Sequence, residues 1–181
     1  MAFRIRPAIL ADKPALEALI ARSARELSAA DYTPDQIEGA LRGAFGVDTQ
    51  LIRDGTYFAV ESEAQLVGCG GWSYRRTLFG GDARNERDTS ELDPRIDAAK
   101  IRAFFVDPHH ARQGIRQALL NKCEAEAQAR GFSRFELMAT LPGVRLYAAC
   151  GYISGERVRY PLPGSKDLSI EFVPMRKAVK S

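Results

Sequence analysis

The chain has 181 residues, of which 45% are hydrophobic and 27% charged, a balance that suits one globular domain spanning residues 1–181. Its formal charge of +3 is too small to argue for a nucleic-acid partner, though it is compatible with an anionic small ligand. No apolar run approaches the ~20 residues that cross a membrane, and the opening stretch MAFRIRPAIL has no apolar core of a signal peptide.

Phe3 to Arg6 alternates in character and stops at Pro7, which predicts a first strand. Asp12 then stands where it would cap a helix with Pro14 in its first turn, carrying Leu16, Leu19, Ile20 and Leu27 at helical spacing. A second helix is predicted from Thr33 as cap and Pro34 as first residue, with Ile37, Leu41 and Phe45 on one stripe. The period changes at residue 56. Thr56 to Ser62 and Gln65 to Tyr74 read as an antiparallel hairpin, in which Gly68, Gly70 and Gly71 point to a bulge or a close backbone approach.

Arg75 to Ala98 is polar and aperiodic, and a connection of that length inside a compact domain is usually functional or mobile. Lys100 to Asp107 is the strongest strand signal, stopped by Pro108. Arg112 to Arg130 has helical periodicity and meets Gly131 as its C-terminal stop. Arg134 to Thr140 is a strand, Val144 to Cys150 a short helix closed by Gly151, and Tyr152 to Tyr160 and Leu168 to Met175 two further strands. A C-terminal edge such as Leu168 to Val173 leaves two readings open, pairing between subunits in a homodimer or a plain end to the sheet.

Cys69, Cys123 and Cys150 are odd in number and lack any metal-ligand spacing, and His109 and His110 are the only histidines. The expectation is no metal, free thiols and a cytoplasmic protein.

The chemistry concentrates where the strand ending at Val106-Asp107 turns at Pro108 into a helix through Ala111-Arg112-Gln113-Gly114-Ile115-Arg116-Gln117. The first amides of a helix have no partner within it, and the helix dipole adds partial positive charge there. A glycine in such a turn lets a pyrophosphate approach the backbone, and arginines add charge-assisted contacts. Spacing alone also fits an ordinary strand-turn-helix unit. It is neither a Walker loop nor a dinucleotide fingerprint.

The run V-D-P-x-x-x-R-Q-G-I-x-Q-A-L-L, over 106–120, resembles the acetyl-CoA signature of the GNAT superfamily. Downstream, Leu146-Tyr147-Ala148-Ala149-Cys150-Gly151-Tyr152 is similar to the family's L-Y-x-x-x-G-F segment. The sequence match covers about residues 100–153, and the order of elements extends it to nearly the whole chain.

The resemblance implies an α/β (α+β) fold: a central mixed, mostly antiparallel sheet flanked by about four helices, with a splayed strand pair at the acyl-CoA site. It implies that the main chain of Phe105 and Val106 pairs with the pantetheine arm. The amides of Arg112, Gln113, Gly114, Ile115, Arg116 and Gln117 would hold the pyrophosphate, and Tyr147 would protonate the departing thiolate. It further implies acetyl-CoA as cosubstrate and acetyl transfer to a primary amine of a small molecule or peptide, by direct attack in a ternary complex.

Arg116 stands where the family usually has its second glycine or alanine, Thr140 where many members carry asparagine, and Ala111 where the first Arg or Gln is frequent. The first of these keeps a second reading in view, a GNAT-fold acyl-CoA-binding or interaction module without turnover. Glu136 and Glu26 are candidates for a general base, though such residues are more often solvated surface charges, and Trp72, Tyr74 and Phe79 are candidates for an acceptor cleft or for plain packing.

Overall fold

A computed structural model of the chain describes residues 2–180, and one eight-stranded sheet runs through them. Its strands are β1 (Arg4–Pro7), β2 (Tyr57–Ser62), β3 (Gln65–Ser73), β4 (Ala99–Val106), β5 (Arg134–Thr140), β6 (Ile153–Ser154), β7 (Val158–Pro161) and β8 (Ser169–Ala178). They lie in the order β1-β2-β3-β4-β5-β8-β6, with β7 also paired to β8. Every pairing is antiparallel except that of β4 with β5. The helices are α1 (Lys13–Leu27), α2 (Pro34–Ala40), α3 (Thr49–Arg53), α4 (Ile115–Ala129) and α5 (Val144–Ala149).

Two apolar layers follow from the sequence periodicities. Leu16, Leu19, Ile20 and Ala24 are the buried stripe of α1, which packs with α2 and α3 over Tyr57, Phe105 and Phe172 on one face of the sheet. Ile115, Leu119, Leu120, Cys123 and Ala127 do the same for α4 over Phe58, Ile101 and Phe135 on the other. Gly131, at φ +92, ends α4 as the sequence predicts.

Several local expectations need correction. Asp12 precedes α1 but its carboxylate does not cap that helix; it accepts from Arg6 at 2.8 and 2.9 Å and from the Ile9 amide at 2.9 Å. At α2 the capping box does form, since Thr33 Oγ1 accepts from the Gln36 amide and the Gln36 side chain accepts from the Thr33 amide. That helix stops at Ala40, before the expected end at Phe45, and α3, capped by Asp48, is an element too short to show a period.

Tyr152 to Tyr160 divides into β6 and β7, both laid along β8. Of the stretch Leu168 to Val173, Ser169 to Phe172 pair with β7, and β5 joins only from Phe172 onward, so Ser169 to Glu171 have a strand partner on one side. The long connection 75–98 is pinned. Arg75 donates to both oxygens of Asp54 at 2.7 and 2.9 Å, and the Gly81 and Asp82 amides bond the α2–α3 turn at Gly43 and Val47, 2.9 Å each.

The glycines of β3 mark a bulge. Register with β4 shifts between Cys69 and Gly71, and Ala103 on β4 takes a positive φ of 55° that a non-glycine residue rarely adopts. A Cβ on Gly70 would lie 2.3 Å from the Phe104 ring, so only glycine admits that approach. The buried Tyr57 donates its hydroxyl to the Ala103 carbonyl at 3.1 Å and fixes the distortion. Beyond it the sheet opens: β4 and β5 pair only at Ala99 with Phe135 and Lys100 with Glu136, then part.

Candidate functional site

Two cavities meet at this opening. The first, about 310 Å³, lies where β4 turns into α4 and is lined by Val106, Gly114, Ile115, Arg116, Pro142 and Leu146 among others. Asp107 caps the intervening turn by accepting from the His109 amide at 3.0 Å, and its other oxygen accepts from Arg22 at 3.1 Å. Burial would raise its pKa, but His110, Arg22 and the His109 amide together hold the carboxyl below its ordinary value. The chain then passes through left-handed backbone at Arg112 (φ 64°) and Gly114 (φ 82°) before α4 begins. A Cβ on Gly114 would meet nothing within 4 Å, so glycine is required there for its backbone angle and not for room.

The amides of Arg112, Gln113, Gly114, Ile115, Arg116 and Gln117 have no hydrogen-bond acceptor among the described residues; the first helical bond is Ala118 to the Gly114 carbonyl at 3.0 Å. Six consecutive donors thus stand free at the positive end of a 15-residue helix, with no carboxylate lining the cavity before them. That arrangement fits a pyrophosphate. Val106 is less free than the resemblance implied. Its amide donates to Ser23 Oγ at 3.3 Å, a long bond that a pantetheine carbonyl would have to replace. Nothing in the sequence pattern singled out Ser23, which is simply a buried position on the α1 stripe.

The second cavity, about 60 Å³, occupies the gap between β4 and β5 and passes from one face of the sheet toward the other. Phe45, Phe79, Phe105 and Phe172 supply its apolar walls, and Phe105 is the other residue expected along the pantetheine arm. Arg116 borders both cavities, so its guanidinium stem lies at their junction. Tyr147, on α5, lines the second cavity with its ring against Phe104 and Tyr152, and its hydroxyl makes no hydrogen bond to a described residue. Burial pushes the Tyr147 phenol up to about 12, with the positive charge of Arg116 pulling the other way. The phenol therefore keeps its proton throughout the neutral range.

Other candidates fall elsewhere. Glu136 is ion-paired to Lys100 at 2.6 Å at the closed end of the β4–β5 pair, and Glu26 is exposed on α1; neither lines these cavities. Trp72 is core on the α4 face, hydrogen-bonded to Glu126, and Tyr74 packs beside it; of the three aromatic candidates only Phe79 reaches the cleft. Arg102 was not anticipated. It is 2% exposed and ion-paired to Asp48 at 3.0 Å, on the cleft wall.

A family model described as the acetyltransferase (GNAT) family matches residues 21–152. No curated protein matches the chain in sequence. Among solved structures, a GCN5-related N-acetyltransferase from Rhodopseudomonas palustris superposes with a TM-score of 0.72 at 18% identity, covering 99% of this chain and 97% of that one. The PaiA N-acetyltransferase of Thermoplasma acidophilum, in complex with coenzyme A, gives 0.66 at 14% identity, over 98% and 99%. A phosphinothricin acetyltransferase of Sinorhizobium meliloti, in complex with acetyl-CoA, gives 0.64 at 17%, over 99% and 89%. At such identities the structural likeness speaks for the fold.

Proposed function

The chain belongs to the GNAT acetyltransferase family, and on that premise we propose that it moves an acetyl group from acetyl-CoA to a primary amine of a small molecule or peptide. The observation that carries the reading is the run of six unpartnered amides, Arg112 to Gln117, opening onto the cavity that continues to Tyr147. Those amides hold the pyrophosphate, with Gly114 setting the turn. The main chain of Phe105 and Val106 guides the pantetheine arm toward the gap. The whole chain acts as one domain, since the single sheet reaches from Arg4 to Ala178. Its three cysteines are free thiols, which suits the cytoplasm.

The acyl transfer needs no covalent enzyme intermediate. A neutral amine attacks the carbonyl, the C–N bond forms and the C–S bond breaks; the nitrogen gives up one proton and the thiolate takes one. Tyr147 stands beside the gap in its protonated form, donates to the departing sulfur and recovers its proton from the nitrogen. No carboxylate lines the cleft, whereas Arg102 and Arg116 do. Arg102 is offset by Asp48 at 3.0 Å, so the cation at the cleft without an ion pair to a described residue is Arg116; it disfavours an ammonium beside it, and the acceptor sheds its first proton to water before it settles.

Thiol release measured with acetyl-CoA and a panel of amines tests the reading. Release that depends on both substrates and is slowed in Tyr147→Phe supports it. Binding of acetyl-CoA without release on any amine favours the second reading, an acyl-CoA-binding module. The specific feature behind that alternative is Arg116, whose side chain sits at the junction of the cavities where the family usually has glycine or alanine.

A further inference from the structure

We infer that Tyr32 is a positioning residue: its hydroxyl stands as a wedge where β5 ends, and sets the turn from which Tyr147 reaches the gap. The inference rests on the acetyltransferase reading with Tyr147 as proton donor, and adds to it a residue from the connection between α1 and α2.

Strands β5 and β8 pair in antiparallel register from Arg134 with Ala178 to Thr140 with Phe172. One further step in that register would pair Leu141 with Glu171, but the ladder stops short of it. The Leu141 amide instead donates to the Tyr32 hydroxyl at 2.9 Å, and that hydroxyl donates to the Glu171 carbonyl at 2.6 Å. A phenol oxygen thus takes the place of a main-chain rung and satisfies one group from each strand. Two residues along β8, Gln36 Nε2 donates to the Ser169 carbonyl at 2.9 Å. Side chains from residues 32 and 36 therefore cover the stretch of β8 that β5 does not reach.

Tyr32 is 4% exposed and belongs to the apolar layer of α1 and α2. Burial pushes its phenol up to about 12, so it stays protonated, both donor and acceptor, well above neutral pH. From Leu141 the chain makes one 3-10 turn, Leu141–Gly143, and enters α5 at Val144. That turn packs on the Tyr147 ring: a Cβ on Gly143 would lie 3.3 Å from Tyr147 Cε2. Gly143 and Tyr147 both line the gap. Without the hydroxyl, the Leu141 amide and the Glu171 carbonyl lose their shared partner, which is costly for buried polar groups unless they close on each other. Closing would extend β5 by one residue and carry the turn, with the ring against it, out of place.

A double-mutant cycle tests this. Tyr32→Phe removes one oxygen and keeps the ring. With both substrates saturating, kcat should fall about tenfold while the KM for acetyl-CoA stays unchanged. In a Tyr147→Phe background the same substitution should lower kcat no further, because the group it positions is gone. A merely structural role would lower the unfolding midpoint without that dependence on background. Should Tyr32→Phe fail to fold, Gly143→Ala crowds the Tyr147 ring from the same turn and should show the same loss and the same dependence. A kcat left unchanged, or lowered equally in both backgrounds, would overturn the inference and leave the acetyltransferase reading intact. Thiol release as fast in Tyr147→Phe as in the unaltered protein, or on no amine at all, would remove both the positioning role and the donor it serves.

Discussion

The two cavities are built by different means. The one before α4 is made of main-chain donors supplied by six consecutive residues, Arg112 to Gln117, and its shape depends on two left-handed backbone positions. The one between β4 and β5 is made of side chains gathered from the α2–α3 turn, the 75–98 connection, β4, β5, α5 and β8. A main-chain site tolerates exchange of side chains, which is how Arg116 can replace a small residue and still offer its amide. A side-chain site changes its ligand with single substitutions. Within one fold, the first suits a constant cosubstrate and the second a variable acceptor.

The largest expected effect lies in the cavity between β4 and β5. Tyr147→Phe should lower kcat by about 10²-fold or more with little change in KM for acetyl-CoA, as steady-state kinetics on both substrates would show. Because the phenol of the unaltered protein is pushed up to about 12, its proton is lost only far above neutrality. The kcat profile should show no loss from this group as pH rises from 7 to about 10. A fall in kcat across that range would remove Tyr147 as the donor.

The second effect separates the opened sheet from the turn. A Cβ on Gly71 would fall 2.3 Å from the Thr56 carbonyl oxygen, which is backbone and has little room to yield. Gly71→Ala should cost about 2 kcal/mol in urea unfolding through overpacking at the bulge. Gly114→Ala is a milder probe of the other cavity. Its cost is the left-handed backbone alone, about 1 kcal/mol, and it should weaken acetyl-CoA binding in calorimetry while leaving the KM for the amine acceptor unchanged.

The contrast also explains what the sequence could tell. The turn from Val106 to Leu120 is legible because its unpartnered amides belong to contiguous residues, and the strand before it and the glycine after α4 are equally local signals. The bulge was half legible: Gly68, Gly70 and Gly71 announced a close approach, but the positive φ of Ala103 opposite them had no mark of its own. Arg102 and Ser23 were invisible. Each is an ordinary letter in a strand or helix until residues 54 and 83 positions away fold against it. Asp12 looked like a helix cap because Arg6, which captures it from β1, is not part of the helix signal.

The smallest effect lies outside both cavities. The Arg6 hydrogen bond, with the Ile9 amide, lowers the Asp12 pKa below 3.8 despite partial burial. Its stabilisation is present above the ordinary carboxylate range and is lost as pH falls through the depressed value. Asp12→Asn should therefore cost about 0.5 kcal/mol at pH 7, and the difference in unfolding free energy should shrink as pH drops below 3.8.

Pyrophosphate held by the free amides at the start of α4 would be seen residue by residue in a backbone amide NMR titration. Acetyl-CoA should shift the resonances of Arg112 to Gln117 more than any other contiguous run, and an acetyl-pantetheine lacking the pyrophosphate should not. Saturation with acetyl-CoA that leaves those six amides unmoved would contradict that contact.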